Sequence, residues 1–320
     1  MDILLFSVNA VVPIVLLVVV GFFLKKIKLI DESFVNKGTK FIFCVALPVS
    51  LFNNAYNLDI AESFNVSLVV FTVVSLLVII IGQLIIVPHV IKDRRRCGVF
   101  IQGVYRSNYL FIGVALATSI MNDGDIGPTV MLMPFVTIIF NFFAVFILMT
   151  FADKCDECGN LIKPKSGEIL LNTIKNPLII GVTSGIIFSA IGLRLPTVFE
   201  KTLSDIGSIA TPLAIILLGA QFNFQSLKGN LKIASIATAL RIVVVPGVVL
   251  ATAVLLGFRG SDLAALFIVF APSTAVSSFI MARNMDGDSE LAGQIVVMTT
   301  LFSALTLFIG IYVLKFFALI

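Results

Sequence analysis

Ten long apolar stretches take up most of this chain and leave it one solvent in which to fold. They fall near residues 4–24, 34–54, 65–91, 98–121, 127–151, 175–193, 203–223, 231–257, 261–282 and 291–316, between short polar or turn-forming segments. A helix crosses the hydrocarbon core of a bilayer in ~20 apolar residues, and each stretch is about that long. None alternates at period two in the short runs that membrane strands require, so the spans read as helices. Of the 320 residues 59% are apolar and only 12% charged, about half the charged share of a soluble domain. No soluble fold hides that much apolar surface, and a disordered chain needs the opposite balance. The expected fold class is an all-α multi-pass membrane protein with ten transmembrane helices and no separate catalytic domain. Lys25 and Lys26 follow the first run and no small-residue cleavage site does, so it reads as a span and not a removable signal.

Basic residues set the orientation. Lys25, Lys26, Lys28, Lys37, Lys40, Lys92, Arg94, Arg95, Arg96, Lys154, Lys163, Lys165, Lys175, Lys228, Lys232 and Arg283 fall on one side, against Arg194, Lys201, Arg259 and Lys315 on the other. The first side is cytoplasmic, which predicts a plasma-membrane protein with both termini outside. Five spans that start outside are followed by five that start inside, an inverted arrangement. At an offset of 164 residues Pro13 meets Pro177, Gly21 meets Gly185 and Pro48 meets Pro212. The expected organisation is a first five-helix repeat over 1–152, a cytoplasmic linker over 153–174 and a second repeat over 175–320. Inverted repeats belong to secondary transporters, which bind their cargo where the halves meet.

In hydrocarbon a broken helix is tolerated only where protein or a cavity satisfies its backbone. Span 4 carries Tyr105, Arg106, Ser107 and Asn108 in a row inside an apolar run, and span 9 carries Pro272, Ser273 and Thr274 at its centre. Asn108 and Pro272 are 164 residues apart, so the two interruptions match across the repeats, and matched interruptions point to a transport site. Half-helix N-termini suit an anion such as a carboxylate. Gln83 of span 3, Asn141 of span 5 and Thr299, Thr300, Ser303 and Thr306 of span 10 could add hydrogen bonds, or serve as inter-helix glue worth ~1 kcal/mol. Arg106 either neutralises an organic anion or snorkels to the cytoplasmic surface. Arg241 reads as a topology anchor near a span end. No Asp or Glu falls clearly inside a span, which argues against a carboxylate proton relay. Cys155 and Cys158 have the spacing of half a zinc site, with Cys97 and His89 as the only further candidates, and read as reduced thiols in a solvated loop. No HExxH, GxSxG or intramembrane Asp pair is present, so no enzyme, metal or cofactor is expected.

The segments NYLFIGVALA (108–117), NPLIIGVTSGIIF (176–188), LPTVFEKTLSDIGSIATPLAIILLGAQF (195–222) and APSTAVSSFIMARNMDGDSELAGQIVVMTTLFSALTLFI (271–309) resemble the auxin efflux carrier family, in particular its bacterial malate or malonate permease-like members. The resemblance implies two inverted five-helix repeats with helices 4 and 9 unwound and crossing, and a homodimer. It also implies that spans 1, 2, 6 and 7 form a scaffold against which the others move. The crossing would use Asn108 with Pro272, Ser273 and Thr274. The chain departs from the plant exporters in lacking their long central loop and in carrying Gln83 where span 3 would hold an acid. The expected function is a secondary carrier of a small organic anion, a mono- or dicarboxylate, with the bilayer and a second copy as partners and no nucleic acid. The rivals are a sodium-coupled symporter of bile-acid type and a ligand sensor that does not transport.

Overall fold

Polar caps mark where the spans begin. Asp31, Asn65, Asp93, Asn176 and Asp288 each accept a backbone N–H from the first turn that follows, the bond from Phe34 N to Asp31 Oδ1 being 2.7 Å, which satisfies donors a helix start leaves free. The computed structural model describes residues 2–57, 65–109, 116, 127–152, 154–155, 161–162, 171, 174–221 and 224–320. The helices are α1 (Asp2–Lys26), α2 (Glu32–Phe41), α3 (Leu47–Tyr56), α4 (Val66–Val90), α5 (Arg94–Tyr105), α6 (Gly127–Phe151) and α7 (Pro177–Ala190). They continue as α8 (Thr197–Ser208), α9 (Ala210–Gln221), α10 (Phe224–Ala239), α11 (Val245–Leu255), α12 (Gly260–Phe270), α13 (Ser277–Asn284) and α14 (Ser289–Phe316). The described strands are two residues each, β1 (Lys154–Cys155) and β2 (Leu161–Ile162), paired antiparallel.

Two π-helical turns, Ile42–Ala46 and Leu240–Val244, join α2 to α3 and α10 to α11. Six helices among the described residues are long and apolar enough to cross a membrane: Glu32–Tyr56, Val66–Val90, Gly127–Phe151, Thr197–Ala220, Asn230–Leu255 and Ser289–Phe316. Pro177–Ala190 and Gly260–Phe270 are apolar and shorter. Val70, Val74, Val78, Ile81 and Ile85 line an exposed face of α4, as expected where acyl chains replace water. This is a multi-pass helical membrane protein.

Two spans do not run through. α5 stops at Tyr105, and the chain stays non-helical through Asn108; α12 stops at Phe270, and helix resumes at Ser277. Of the remainder of span 4 only Tyr109 and Leu116, both buried and helical, are described. Most of the 153–174 linker, including Cys158, also lies outside the described residues.

Glycines bring two helix pairs to backbone contact. A Cβ on Gly21 of α1 would lie 2.0 Å from the Ile216 carbonyl oxygen of α9, and one on Gly219 of α9 would lie 2.0 Å from the Val18 oxygen. On the α3–α7 seam the corresponding distances are 2.4 Å from Gly181 to the Pro48 oxygen and 2.5 Å from Gly185 to the Phe52 oxygen. Small residues at such seams supply association between helices that lipid cannot drive. Elsewhere α5 packs on α4, α6 and α14, and α12 packs on α6 and α11.

Candidate functional site

The two interruptions meet. Arg106 adopts an extended backbone (φ −86°, ψ 104°), Ser107 bridges Thr274 in antiparallel fashion, and Asn108 N–H donates to Ser273 O at 2.7 Å. Ala275 N–H donates to Arg106 O at 3.3 Å. Pro272 has no N–H with which to extend α12. A broken helix must find partners for its last carbonyls, and those of α5 are all engaged. Gln102 O takes Arg106 N–H, and Gly103 O takes the Thr274 hydroxyl at 2.7 Å. Val104 O and Tyr105 O take Arg241 Nη1 at 3.3 and 3.5 Å. Thr274 N–H donates to Thr299 Oγ1 at 3.1 Å, and that hydroxyl donates to Ile295 O at 2.7 Å.

A cavity opens beside the crossing. Its volume is about 50 Å³. That is room for a few waters. One wall is α3 and α9, with Ser50, Asn54 and Thr211; the other is the crossing and α6, with Arg106, Ser107, Asn108, Thr137 and Asn141. Ala275, Val276 and Ser277 bring the start of α13 to the cavity, so its positive end faces inward.

Arg106 is 5% exposed and does not snorkel. Its Nη2 donates to Asn141 Oδ1 at 2.9 Å, its Nη1 to the Met281 sulfur, and Asn141 is held by its own Nδ2 on Thr137 O at 2.8 Å. No carboxylate lies within ion-pair distance of Arg106 among the described residues. Among the described residues, the cavity's buried positive charge is therefore matched only by neutral acceptors. Ser107 Oγ, also buried at the cavity, has no hydrogen-bond partner among the described residues.

Of the residues expected at the site, Arg106, Ser107, Asn108 and Asn141 line the cavity together. Pro272, Ser273 and Thr274 build the crossing and do not line it, and Thr299 braces Thr274 from behind. Ser303 is buried and donates to Thr300 O at 2.8 Å, within its own helix. Gln83 sits on α4 away from the cavity, both amide atoms buried without a partner among the described residues.

Two expectations need correction. At the crossing itself Asn108, Thr274 and Ala275 N–H are spent on protein acceptors, so of the expected amide cradle only the start of α13 faces the cavity among the described residues. Arg241 is not a topology anchor, since the π-turn of Leu240–Val244 turns it fully inward. Its place ten residues inside span 8 was the available signal. Ser50, Asn54 and Thr211 were missed; Ser50 and Asn54 are polar residues one turn apart in an apolar span, which marks a common face.

A family model described as membrane transport protein matches residues 6–311. The chain belongs to that family, the auxin efflux carriers. An uncharacterized transporter of Methanothermobacter thermautotrophicus is 24% identical over 311 residues, 94% of this chain and 96% of that protein. An uncharacterized transporter of Methanocaldococcus jannaschii, MJ1031, is 22% identical over 312 residues, 93% of this chain and 96% of its own.

Proposed function

We propose that the protein is a secondary carrier of a small organic anion, a carboxylate, held at the crossing and exposed alternately to the two sides of the plasma membrane. Arg106 carries the proposal. A guanidinium buried in hydrocarbon is costly unless a counter-charge joins it, and the cavity it lines has hydroxyl and amide groups but no described acid to fill that role. An anion would supply the missing charge, and a single guanidinium favours one carboxylate at a time in direct contact.

The inverted repeat draws support from side-chain register. At the offset of 164, Gly21 corresponds to Gly185 and Phe52 to Ile216, and Gly21 abuts Ile216 while Gly185 abuts Phe52. Leu47 corresponds to Thr211 and Ser50 to Ala214, and all four line the cavity. Motion follows from the same division: α1, α3, α7 and α9, tied by backbone-close seams, form a scaffold, and spans 3–5 and 8–10 slide against it as a rigid body. Both termini lie outside, and the scaffold pairs with a second copy. Export of a monovalent anion gains ~2.3 kcal/mol per 100 mV of inside-negative potential.

The test is counterflow of radiolabelled mono- and dicarboxylates of two to five carbons into proteoliposomes, wild type against Arg106→Gln. Loss of one charge-assisted hydrogen bond, ~1.5–3 kcal/mol, should weaken apparent affinity about 10- to 150-fold. Carboxylate binding without counterflow would make the protein a sensor. Flux that requires Na⁺ would make it a symporter of the bile-acid type.

A further inference from the structure

We infer that the crossing contains a cation site built from three backbone carbonyls, and that Arg241 is the positioning residue that fills it. The π-turn of span 8 widens the helix at Leu240–Val244, pointing Arg241 and Ile242 inward while Val243 and Val244 face outward. The guanidinium is fully buried and straddles both broken helices. Nε and Nη2 donate to Pro272 O at 3.2 and 3.0 Å, and Nη1 reaches Val104 O and Tyr105 O at 3.3 and 3.5 Å.

These oxygens are the carbonyl ends of α5 and of the segment leaving α12. Each end carries a partial negative charge, and two such ends brought together in low dielectric repel each other and keep unpaired acceptors. No described carboxylate lies within ion-pair distance of Arg241, so carbonyl dipoles are its counter-charge, as they would be for a bound inorganic cation. A planar fork with five donors matches acceptors on two segments at once, which a point charge does not. Arg241 thus plays a different part from Arg106. It does not line the cavity and holds the crossing in register, so that Ser107 and Asn108 keep their place at the cavity edge.

The proposal rests on the carrier mechanism only for its purpose, and its test uses no transported substrate, so the two fail separately. Purified wild type, Arg241→Ala, Arg241→Lys and Arg241→Met are melted by circular dichroism, since the chain has no Trp to report fluorescence. Each is measured with 20 mM guanidinium, sodium or choline chloride. Arg241→Ala should melt below wild type and recover in guanidinium but not in choline, while wild type does not rise in any of the three. An Arg241→Ala protein as stable as wild type, or one that guanidinium does not restore, overturns the inference. So does a rise in wild type specific to sodium. Should Arg241→Ala not fold, the ordering of the other two decides: Arg241→Lys must melt above the neutral Arg241→Met, and equal melts overturn the site.

Discussion

Substituting Ala for Gly21 puts one methyl group where there is no room for it. The added Cβ would sit 2.0 Å from the Ile216 carbonyl oxygen and 2.8 Å from its carbon, whereas real Cβ contacts essentially never fall below 3.0 Å. Both partners are backbone in the middle of helices, so no side chain can swing aside, and α1 and α9 must part by at least 1.0 Å. A gap of that size forfeits about a quarter to a half of the dispersion energy of each contact it opens, and Gly219 faces Val18 across the same seam. The expected loss is at the upper end of the overpacking range, about 3 kcal/mol, or roughly a hundredfold in the folding equilibrium. Gly185→Ala, its counterpart in the proposed repeat, needs a shift of only 0.5 Å to reach the same 3.0 Å limit, and should cost less, about 1–2 kcal/mol. Gly82 of α4 meets nothing within 4 Å, and Ala there should stabilise by ~0.5–1 kcal/mol through backbone entropy. Reversible unfolding in mixed micelles with increasing SDS measures all three. An Ala at Gly21 that costs no more than one at Gly82 would refute the close approach, and with it the rigid scaffold.

Thr299→Val removes the acceptor of Thr274 N–H and should cost ~1–3 kcal/mol, whereas Thr299→Ser keeps the hydroxyl and should stay within ~0.5 kcal/mol; the same SDS titration distinguishes them. Replacing Arg106 by Met and Asn141 by Leu together removes a buried charge and its acceptor. Stability should hold or rise while carboxylate counterflow is lost, and a fall above ~2 kcal/mol would assign the pair a structural role instead. Arg283 Nη2 joins α13 to Asn36 Oδ1 of α2 at 2.6 Å on the cytoplasmic side of the proposed topology. Asn36→Ala should leave stability within ~0.5 kcal/mol and speed maleimide labelling of Ser50→Cys from that side, as expected if this contact bridges the moving spans and span 2; unchanged labelling would show that it does not restrain them.

Six long apolar spans and the interruptions of two others were legible in the chain because hydropathy is local and additive, and the family was legible in its sequence motifs. Residues 127–151 lose water whatever lies beside them, and the helix there is Gly127–Phe151 as expected. The breaks at Tyr105–Asn108 and Pro272–Thr274 were visible for the same reason, since polar groups and a missing N–H interrupt a run wherever it sits. Which polar group faces what is a different kind of question. Gln83 and Asn141 look alike in sequence, yet one is away from the cavity and the other holds Arg106. Arg241 looked like an anchor until a π-turn and two helix ends, 137 and 31 residues distant, met around it. A side chain's partners come from the packing of helices remote in sequence, and one hundred degrees of rotation about a helix axis, a single residue's step, exchanges lipid for a binding site.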